Sequence, residues 1–310
     1  MEQYFRRLSF IKFAGLLVLG LILSVVIAVF IMYSGAQESL AQEMALITFT
    51  SSVIMYGAWF LFIWRRSLSS RERDLIRTPA PARSRRNIWF ALAALLWSLP
   101  VNFIYTIFLE RFFPDFLEQM MEAGNLPENL FTTSDPLSLL LMFIPVVILA
   151  PIVEEIIFRG VLYNLLNKRM SLPMAALISS VIFGLMHGTT FFQTALIGFV
   201  LAFVYQVTGD LKMAMLGHGL NNGVAFFQGV LMEEGFLDQG SMGEVIFAGI
   251  MLAGSVTIVI LTISYFRKNP IRSIFRDHSP IYKHEIARSQ RILEASDQNL
   301  SDRCLEGDSF

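Results

Sequence analysis

The sequence has few of the charged residues that cover the surface of a water-soluble protein. Only 16% of its 310 residues are charged, whereas 55% are hydrophobic and phenylalanine alone occupies 28 positions. The mean hydropathy is +0.57. A water-soluble fold cannot bury this much apolar surface, so lipid must be the solvent for much of the chain.

Cysteine is also scarce. The single cysteine, Cys304, excludes an intramolecular disulfide and a cysteine-rich metal site. The sequence contains no internal repeat, no low-complexity tract and no glycine-rich nucleotide motif. We therefore expect neither a nucleotide nor a nucleic acid as a partner.

Long apolar runs are what the sequence has in abundance. Eight of them recur, at 13–33, 45–64, 88–108, 137–150, 172–187, 191–207, 213–232 and 245–266. The first three and the last reach the ~20 residues that cross a hydrocarbon core of ~30 Å. These runs predict an all-α, polytopic integral membrane helical bundle with about eight transmembrane helices. We expect the fourth run to continue through 151–166 as one long or broken helix.

Basic residues are concentrated in alternate loops. Eight arginines lie between the second and third runs, at positions 65, 66, 71, 73, 77, 83, 85 and 86, whereas the loops at 34–44 and 233–244 contain acidic residues and no Lys or Arg. The positive-inside rule therefore predicts that both termini are cytoplasmic. The first run is of full spanning length and has no small-residue cleavage site, so we interpret it as a retained transmembrane helix and not a signal peptide. The expected location is a bacterial plasma membrane.

Three regions follow from this pattern. Residues 1–136 hold the first three spans, a basic cytoplasmic loop and an external amphipathic segment at 110–131. Residues 137–266 form the membrane core that carries the polar residues, and residues 267–310 form a polar cytoplasmic tail that we expect to touch anionic membrane lipid.

The first polar cluster within the spans contains Glu154, Glu155 and Arg159. An ionisable group inside a membrane costs ~2.5–3.5 kcal/mol even on lenient scales, so its presence calls for a functional explanation. The i,i+4 spacing of Glu155 and Arg159 predicts an ion pair on one helix face. That structural interpretation leaves Glu154, which points about 100° away, without a partner. An unpaired carboxylate in a low dielectric is a natural general base.

Two histidine clusters follow along the chain. Phe183 and His187 share a helix face, and taken alone this pair favours a structural histidine. His218 and Asn222 are again i,i+4 and are flanked by glycines at 217, 219 and 223, a pattern that also suits a helix–helix contact of small residues with polar groups. Counting along the helices puts all these groups at ~10–20 Å from the cytoplasmic side, which is compatible with one shared cavity.

In their order, the motifs Glu-Glu-x-x-x-Arg, Phe-x-x-x-His and His-x-x-x-Asn resemble the CPBP family. This family comprises the type II CAAX prenyl endopeptidases and the Abi proteins of bacteriocin processing or immunity. The resemblance covers about 137–229 and implies that Glu154 is the general base and that His187 positions the attacking water. It further implies that His218 and Asn222 stabilise the oxyanion. Structural support of the site would come from Glu155, Arg159 and Phe183.

The resemblance leaves the nucleophile open, since this family has been described both as metalloproteases and as glutamate-dependent peptidases. Glu154, His187 and His218 could hold Zn²⁺ with an open position. The sequence has no His-Glu-x-x-His helix, and Asn222 is a poor zinc ligand, so we favour a water without tightly bound zinc.

The predicted function is an intramembrane endopeptidase for a membrane-associated peptide or protein, of the CAAX or the bacteriocin or pheromone type. One alternative is a catalytically silent membrane partner or bacteriocin self-immunity protein. A second alternative is a transporter with an ion site at the membrane midplane, which would predict two similar halves that the sequence does not show.

Overall fold

The computed structural model of the chain is helical. It describes residues 8–33, 40–77, 89–94, 96–97, 105, 108–116, 136–233, 241–268, 289–290 and 293–294. Within these ranges the chain forms helices and no strand, which confirms the all-α class.

The main helices of the described residues are numbered here in chain order. They are α1 (Phe10–Tyr33), α2 (Leu40–Trp59, with a π-helical continuation at Phe60–Ser67), α3 (Ser70–Arg77), α4 (Pro136–Leu166), α5 (Leu172–Leu185), α6 (Phe191–Thr208), α7 (Leu211–Glu233) and α8 (Met242–Lys268).

Five of these helices, namely α1, α2, α4, α6 and α8, are long and apolar enough to cross a membrane. They coincide with five of the eight predicted runs and confirm a polytopic membrane protein. Helix α5 is apolar but has only 14 residues, and α7, which carries the His218 and Asn222 cluster, is outside the five. Most of the third predicted run, of the segment 110–131 and of the tail lies outside the described residues. The total of eight spans therefore stays a prediction.

Helix α4 is one continuous element of 31 residues, as the sequence predicted. Two π-helical segments interrupt its α-helical hydrogen bonding, at Ile144–Leu149 and Ile156–Leu162. Pro145 and Pro151 lack the backbone N–H that regular α-helical bonding requires, and π-helical turns are frequent at functional sites. Glu154 and Glu155 are the last residues of the α-helical turns between the two π-helical segments.

The core of the bundle surrounds the second half of α4, where residues 157–166 are all buried. Helices α5 and α6 approach each other closely at Gly184, where an added Cβ would meet the carbonyl oxygen of Phe191 and the side chain of Ala195. The Trp59 indole N–H on α2 donates to the Leu17 carbonyl oxygen on α1 at 3.2 Å. This packing brings α2, α4, α5 and α7 together around Glu154.

Candidate active site

The Glu154 carboxylate lies at the meeting point of these helices, and each of its two oxygens has different surroundings. The hydroxyl of Tyr56 on α2 donates a hydrogen bond to Oε1 at 2.7 Å. Oε2 has no hydrogen-bond partner among the described residues. The prediction that Glu154 lacks a partner is therefore wrong for one oxygen, because the partner comes from a helix 98 positions earlier in the chain.

Two imidazole rings approach the other oxygen. The Nε2 atoms of His187 and His218 each lie 3.9 Å from Glu154 Oε2. The side chain of Glu154 is 8% exposed and that of His218 is 5% exposed, whereas His187 is 32% exposed. The three residues that the sequence assigned to separate clusters thus meet in one place, and His187 forms its accessible side.

His187 follows α5 and is oriented by that helix. Its Nδ1 lies 2.7 Å from the carbonyl oxygen of Phe183, one turn earlier. Because a carbonyl oxygen can only accept, Nδ1 carries a proton, and Nε2 is the ring nitrogen that faces Glu154.

Glu155, the next residue on α4, is fully buried. Arg159 donates from Nη1 to Glu155 Oε1 at 2.7 Å, which is the i,i+4 pair that the spacing predicted. His218 Nδ1 lies 2.9 Å from the same oxygen. Glu155 therefore contacts both the arginine and the second histidine, a link from α4 to α7 that the sequence did not suggest.

Arg159 and Phe183 form the packing beneath the site. The guanidinium carbon of Arg159 lies 4.5 Å from the centre of the Phe183 ring, a cation–π contact, and Nη2 donates to the Gly198 carbonyl oxygen at 2.8 Å. The ring of Phe183 also packs against His187 and His218, with centroid distances of 4.6 and 5.7 Å. One buried phenylalanine thus contacts three polar side chains of the site.

Asn222 on α7 contacts a different part of α4. Its Nδ2 donates to the carbonyl oxygen of Val146 at 2.9 Å, and its Oδ1 accepts from Asn221 at 3.3 Å. Val146 lies in the first π-helical segment, two turns before Glu154. Gly219 allows this close approach, because an added Cβ would lie 3.2 Å from the Val147 carbonyl oxygen.

The atoms around Glu154 Oε2 are of the chemical type that zinc binds, since they are one carboxylate oxygen and two imidazole nitrogens. Their 3.9 Å separations exceed the ~3.4 Å between ligands that tetrahedral zinc distances of 2.0–2.1 Å imply. Among the described residues, no group of three His, Cys, Asp or Glu side chains has the spacing of a metal site. Glu154, His187 and His218 are the residues that would hold a divalent metal at this position.

Comparison with known proteins finds similarity that includes the same segment. Residues 136–224 match the family model described as Type II CAAX prenyl endopeptidase Rce1-like. A relative from Bacillus subtilis (strain 168), named "Putative membrane peptidase YdiL", is 29% identical over 164 residues, which cover 51% of this chain and 66% of the relative. The match thus spans slightly less than two thirds of that relative. No solved structure gives a significant match to the chain.

The fold defines the class as a polytopic helical membrane protein, and one segment of it is similar to type II CAAX prenyl endopeptidases. Within that class, the resemblance to the CPBP family is confirmed for the segment that carries Glu154, His187, His218 and Asn222. Tyr56 lies outside the segment that the family model matches.

Proposed function

We propose that this protein is an intramembrane endopeptidase that hydrolyses a peptide bond of a membrane-associated polypeptide. The observation that carries the proposal is that His187 and His218, from two other parts of the chain, both approach one carboxylate oxygen of Glu154. The match of this segment to a prenyl endopeptidase model supports the same reaction class.

The nucleophile is a water molecule held between Glu154 Oε2 and His187 Nε2. Both atoms are hydrogen-bond acceptors, and a water has two donors. Two hydrogen bonds of ~2.8 Å that meet at roughly 90° span about the 3.9 Å that separates these atoms. As the water oxygen attacks the scissile carbonyl carbon, Glu154 takes its proton as general base. The carboxyl group then returns that proton to the leaving nitrogen as the C–N bond breaks.

His218 and Asn222 stabilise the oxyanion that forms on the carbonyl oxygen. His218 donates from Nε2 when its ring carries both protons, and the Glu155 carboxylate 2.9 Å from Nδ1 stabilises that charged ring. Asn222 has a second amide N–H beyond the one that it donates to Val146. Donors fixed in advance in a dry cavity are worth more than the same donors in water.

The substrate is a membrane-associated peptide, either a prenylated CAAX-type sequence or a bacteriocin or pheromone precursor. The partly exposed His187 side chain marks the side of the site from which the substrate peptide reaches Glu154. The proposed location is a bacterial plasma membrane, and the alternating basic loops support a cytoplasmic position for both termini.

A substitution set in cells tests this function. Membranes that contain the wild type, Glu154→Gln, His187→Ala or His218→Ala are compared by mass spectrometry for new peptide termini. Glu110→Gln, which changes an exposed glutamate, is the matched control. We expect the termini that depend on the wild type to persist in the control and to vanish in all three site variants. Wild-type peptide profiles from all three would instead identify a silent membrane partner.

Metal content is measured on the purified protein, together with hydrolysis in the presence of a chelator. We expect less than one metal ion per chain and activity that survives chelation. A stoichiometric metal whose removal abolishes hydrolysis would show that the attacking water is metal-bound.

A further inference from the structure

The Tyr56–Glu154 hydrogen bond joins helix α2 to the segment that matches the protease model. Tyr56 lies on α2, and the segment that matches the protease model begins 80 residues later, at residue 136. Its side chain is 8% exposed, and its hydroxyl donates to Glu154 Oε1 at 2.7 Å. We propose that Tyr56 is a positioning residue for the general base. This inference rests on the proposed function.

The hydrogen bond decides which carboxylate oxygen is available for chemistry. Tyr56 occupies Oε1, so Oε2 is the oxygen that lies 3.9 Å from the Nε2 atoms of His187 and His218. Without the hydroxyl, the carboxylate can rotate and exchange its two oxygens. A phenol is also a neutral donor, so it stabilises the carboxylate without the permanent cation that Arg159 supplies to Glu155.

The Tyr56 ring is itself held in place. Trp59, three residues later on α2, meets it edge to face at 5.8 Å between centroids. The Trp59 indole donates to the Leu17 carbonyl oxygen on α1, in the space that Gly20 leaves. A chain of contacts thus runs from α1 through Trp59 and Tyr56 to Glu154. The first two helices act as part of the active-site wall and not only as a membrane anchor.

The charged and titratable groups described around the Glu154 carboxylate come from every helix packed against it. They are Tyr56 from α2, His187 after α5, His218 from α7, and Glu155 with Arg159 on α4 itself. Among these groups, Tyr56 hydrogen-bonds to the Glu154 carboxylate at 2.7 Å, whereas the two histidines lie 3.9 Å from it. Its removal should therefore leave Glu154 Oε1 without the hydrogen bond that α2 donates to it.

The test uses the full-length protein in phospholipid vesicles and has two independent readouts. The first is modification of Glu154 by dicyclohexylcarbodiimide, which reacts with protonated carboxyl groups, followed by mass spectrometry across a range of pH. The second is cleavage of a quenched fluorescent peptide whose prenylated cysteine is followed by three C-terminal residues, as in a CAAX sequence. The variant is Tyr56→Phe, which removes one oxygen and keeps the ring that packs on Trp59.

Tyr163→Phe is the matched control. Tyr163 is a fully buried tyrosine on α4 whose hydroxyl donates to Gln206 at 2.8 Å, away from Glu154. Melting temperatures of both variants are recorded to show that each is folded.

For Tyr56→Phe we expect the labelling midpoint to rise by roughly one to two pH units, which corresponds to the loss of one hydrogen bond to a charged group. We also expect kcat to fall by about tenfold with little change in KM. Tyr163→Phe should leave both readouts at their wild-type values. An unshifted midpoint in Tyr56→Phe, or an equal shift in Tyr163→Phe, would overturn the positioning role.

The two readouts separate this inference from the proposed function. A shifted midpoint in a protein whose wild type cleaves no peptide would support the positioning role and count against proteolysis. Wild-type cleavage with an unshifted midpoint would keep the protease and remove Tyr56 from its site.

Discussion

Glu154 and Glu155 follow one another on α4, yet their surroundings differ in charge and in access. Glu155 is fully buried and contacts a cation, Arg159, at 2.7 Å. Glu154 contacts the neutral hydroxyl of Tyr56 at 2.7 Å and lies beside His187, which is 32% exposed. A rotation of about 100° between successive helical residues is enough to direct the two carboxylates towards different helices.

Both glutamates are buried, although the proposed mechanism uses only Glu154 as the base, so burial alone does not identify a catalytic carboxylate in a membrane. What separates them is charge compensation. A carboxylate paired with a buried arginine is fixed by that ion pair, which suits a structural role. A carboxylate held by a neutral donor can take up and release a proton, which a general base must do.

Loss of Arg159, the cation of the buried ion pair with Glu155, should have the largest effect on stability. Arg159→Met leaves the Glu155 carboxylate buried beside His218 alone, and we expect the free energy of unfolding to fall by about 3–5 kcal/mol, as for other broken buried ion pairs. Denaturant unfolding in detergent micelles measures this change. Arg169→Met, at an exposed arginine, is the control and should change it by less than about 0.5 kcal/mol. Equal stability of the two variants would remove the structural assignment of Glu155.

His218 lies beside both glutamates, so its removal tests how the surroundings of Glu154 and Glu155 are connected. His218→Ala deletes the group 2.9 Å from Glu155 and 3.9 Å from Glu154. We expect kcat for peptide hydrolysis to fall about 10²–10³-fold, the usual effect of losing one oxyanion donor, with KM little changed. His284→Ala, a histidine of the polar tail, should cleave the same peptide as fast as the wild type. A loss confined to KM would make His218 a substrate-binding residue instead.

A smaller effect is expected where α6 approaches Arg159. In Gly198→Ala the new Cβ would lie 2.9 Å from Arg159 Nη2 and 3.0 Å from the Phe183 ring. We expect this overpacking to lower the free energy of unfolding by about 1–3 kcal/mol. The control is Gly249→Ala on α8, where nothing lies within 4 Å of an added Cβ. Melting temperatures in detergent should drop for the first variant only, and unchanged melting of Gly198→Ala would show that this contact is not tight.

Much of the fold could be predicted because spanning length is a strong physical constraint. The apolar runs that became α1, α2, α4, α6 and α8 were visible from composition alone. The two π-helical segments of α4 were not, since Ile144–Leu149 and Ile156–Leu162 have the same apolar composition as ordinary helix. Helix α7 carries polar residues that lower its hydropathy, so length and composition describe it less well than its neighbours.

The site could be predicted in part for a related reason. Charged and imidazole side chains are costly inside a membrane, so Glu154, His187 and His218 were conspicuous in apolar runs. Tyr56 was not, because a tyrosine costs little in a membrane helix and its partner is 98 residues away. The contact between His218 and Glu155 was missed for the same reason, since helical spacing reports neighbours on one helix and not between helices.

The most direct test of the account is the turnover of Glu154→Gln in vesicles, with Glu155→Gln measured beside it. General-base catalysis contributes about 10²–10⁴-fold, so we expect the kcat of Glu154→Gln for the quenched prenylated peptide to fall by at least 100-fold. Its melting temperature should stay close to that of the wild type, whereas Glu155→Gln should melt at a markedly lower temperature. A folded Glu154→Gln that keeps more than about a tenth of the wild-type kcat would contradict the assignment of Glu154 as the base.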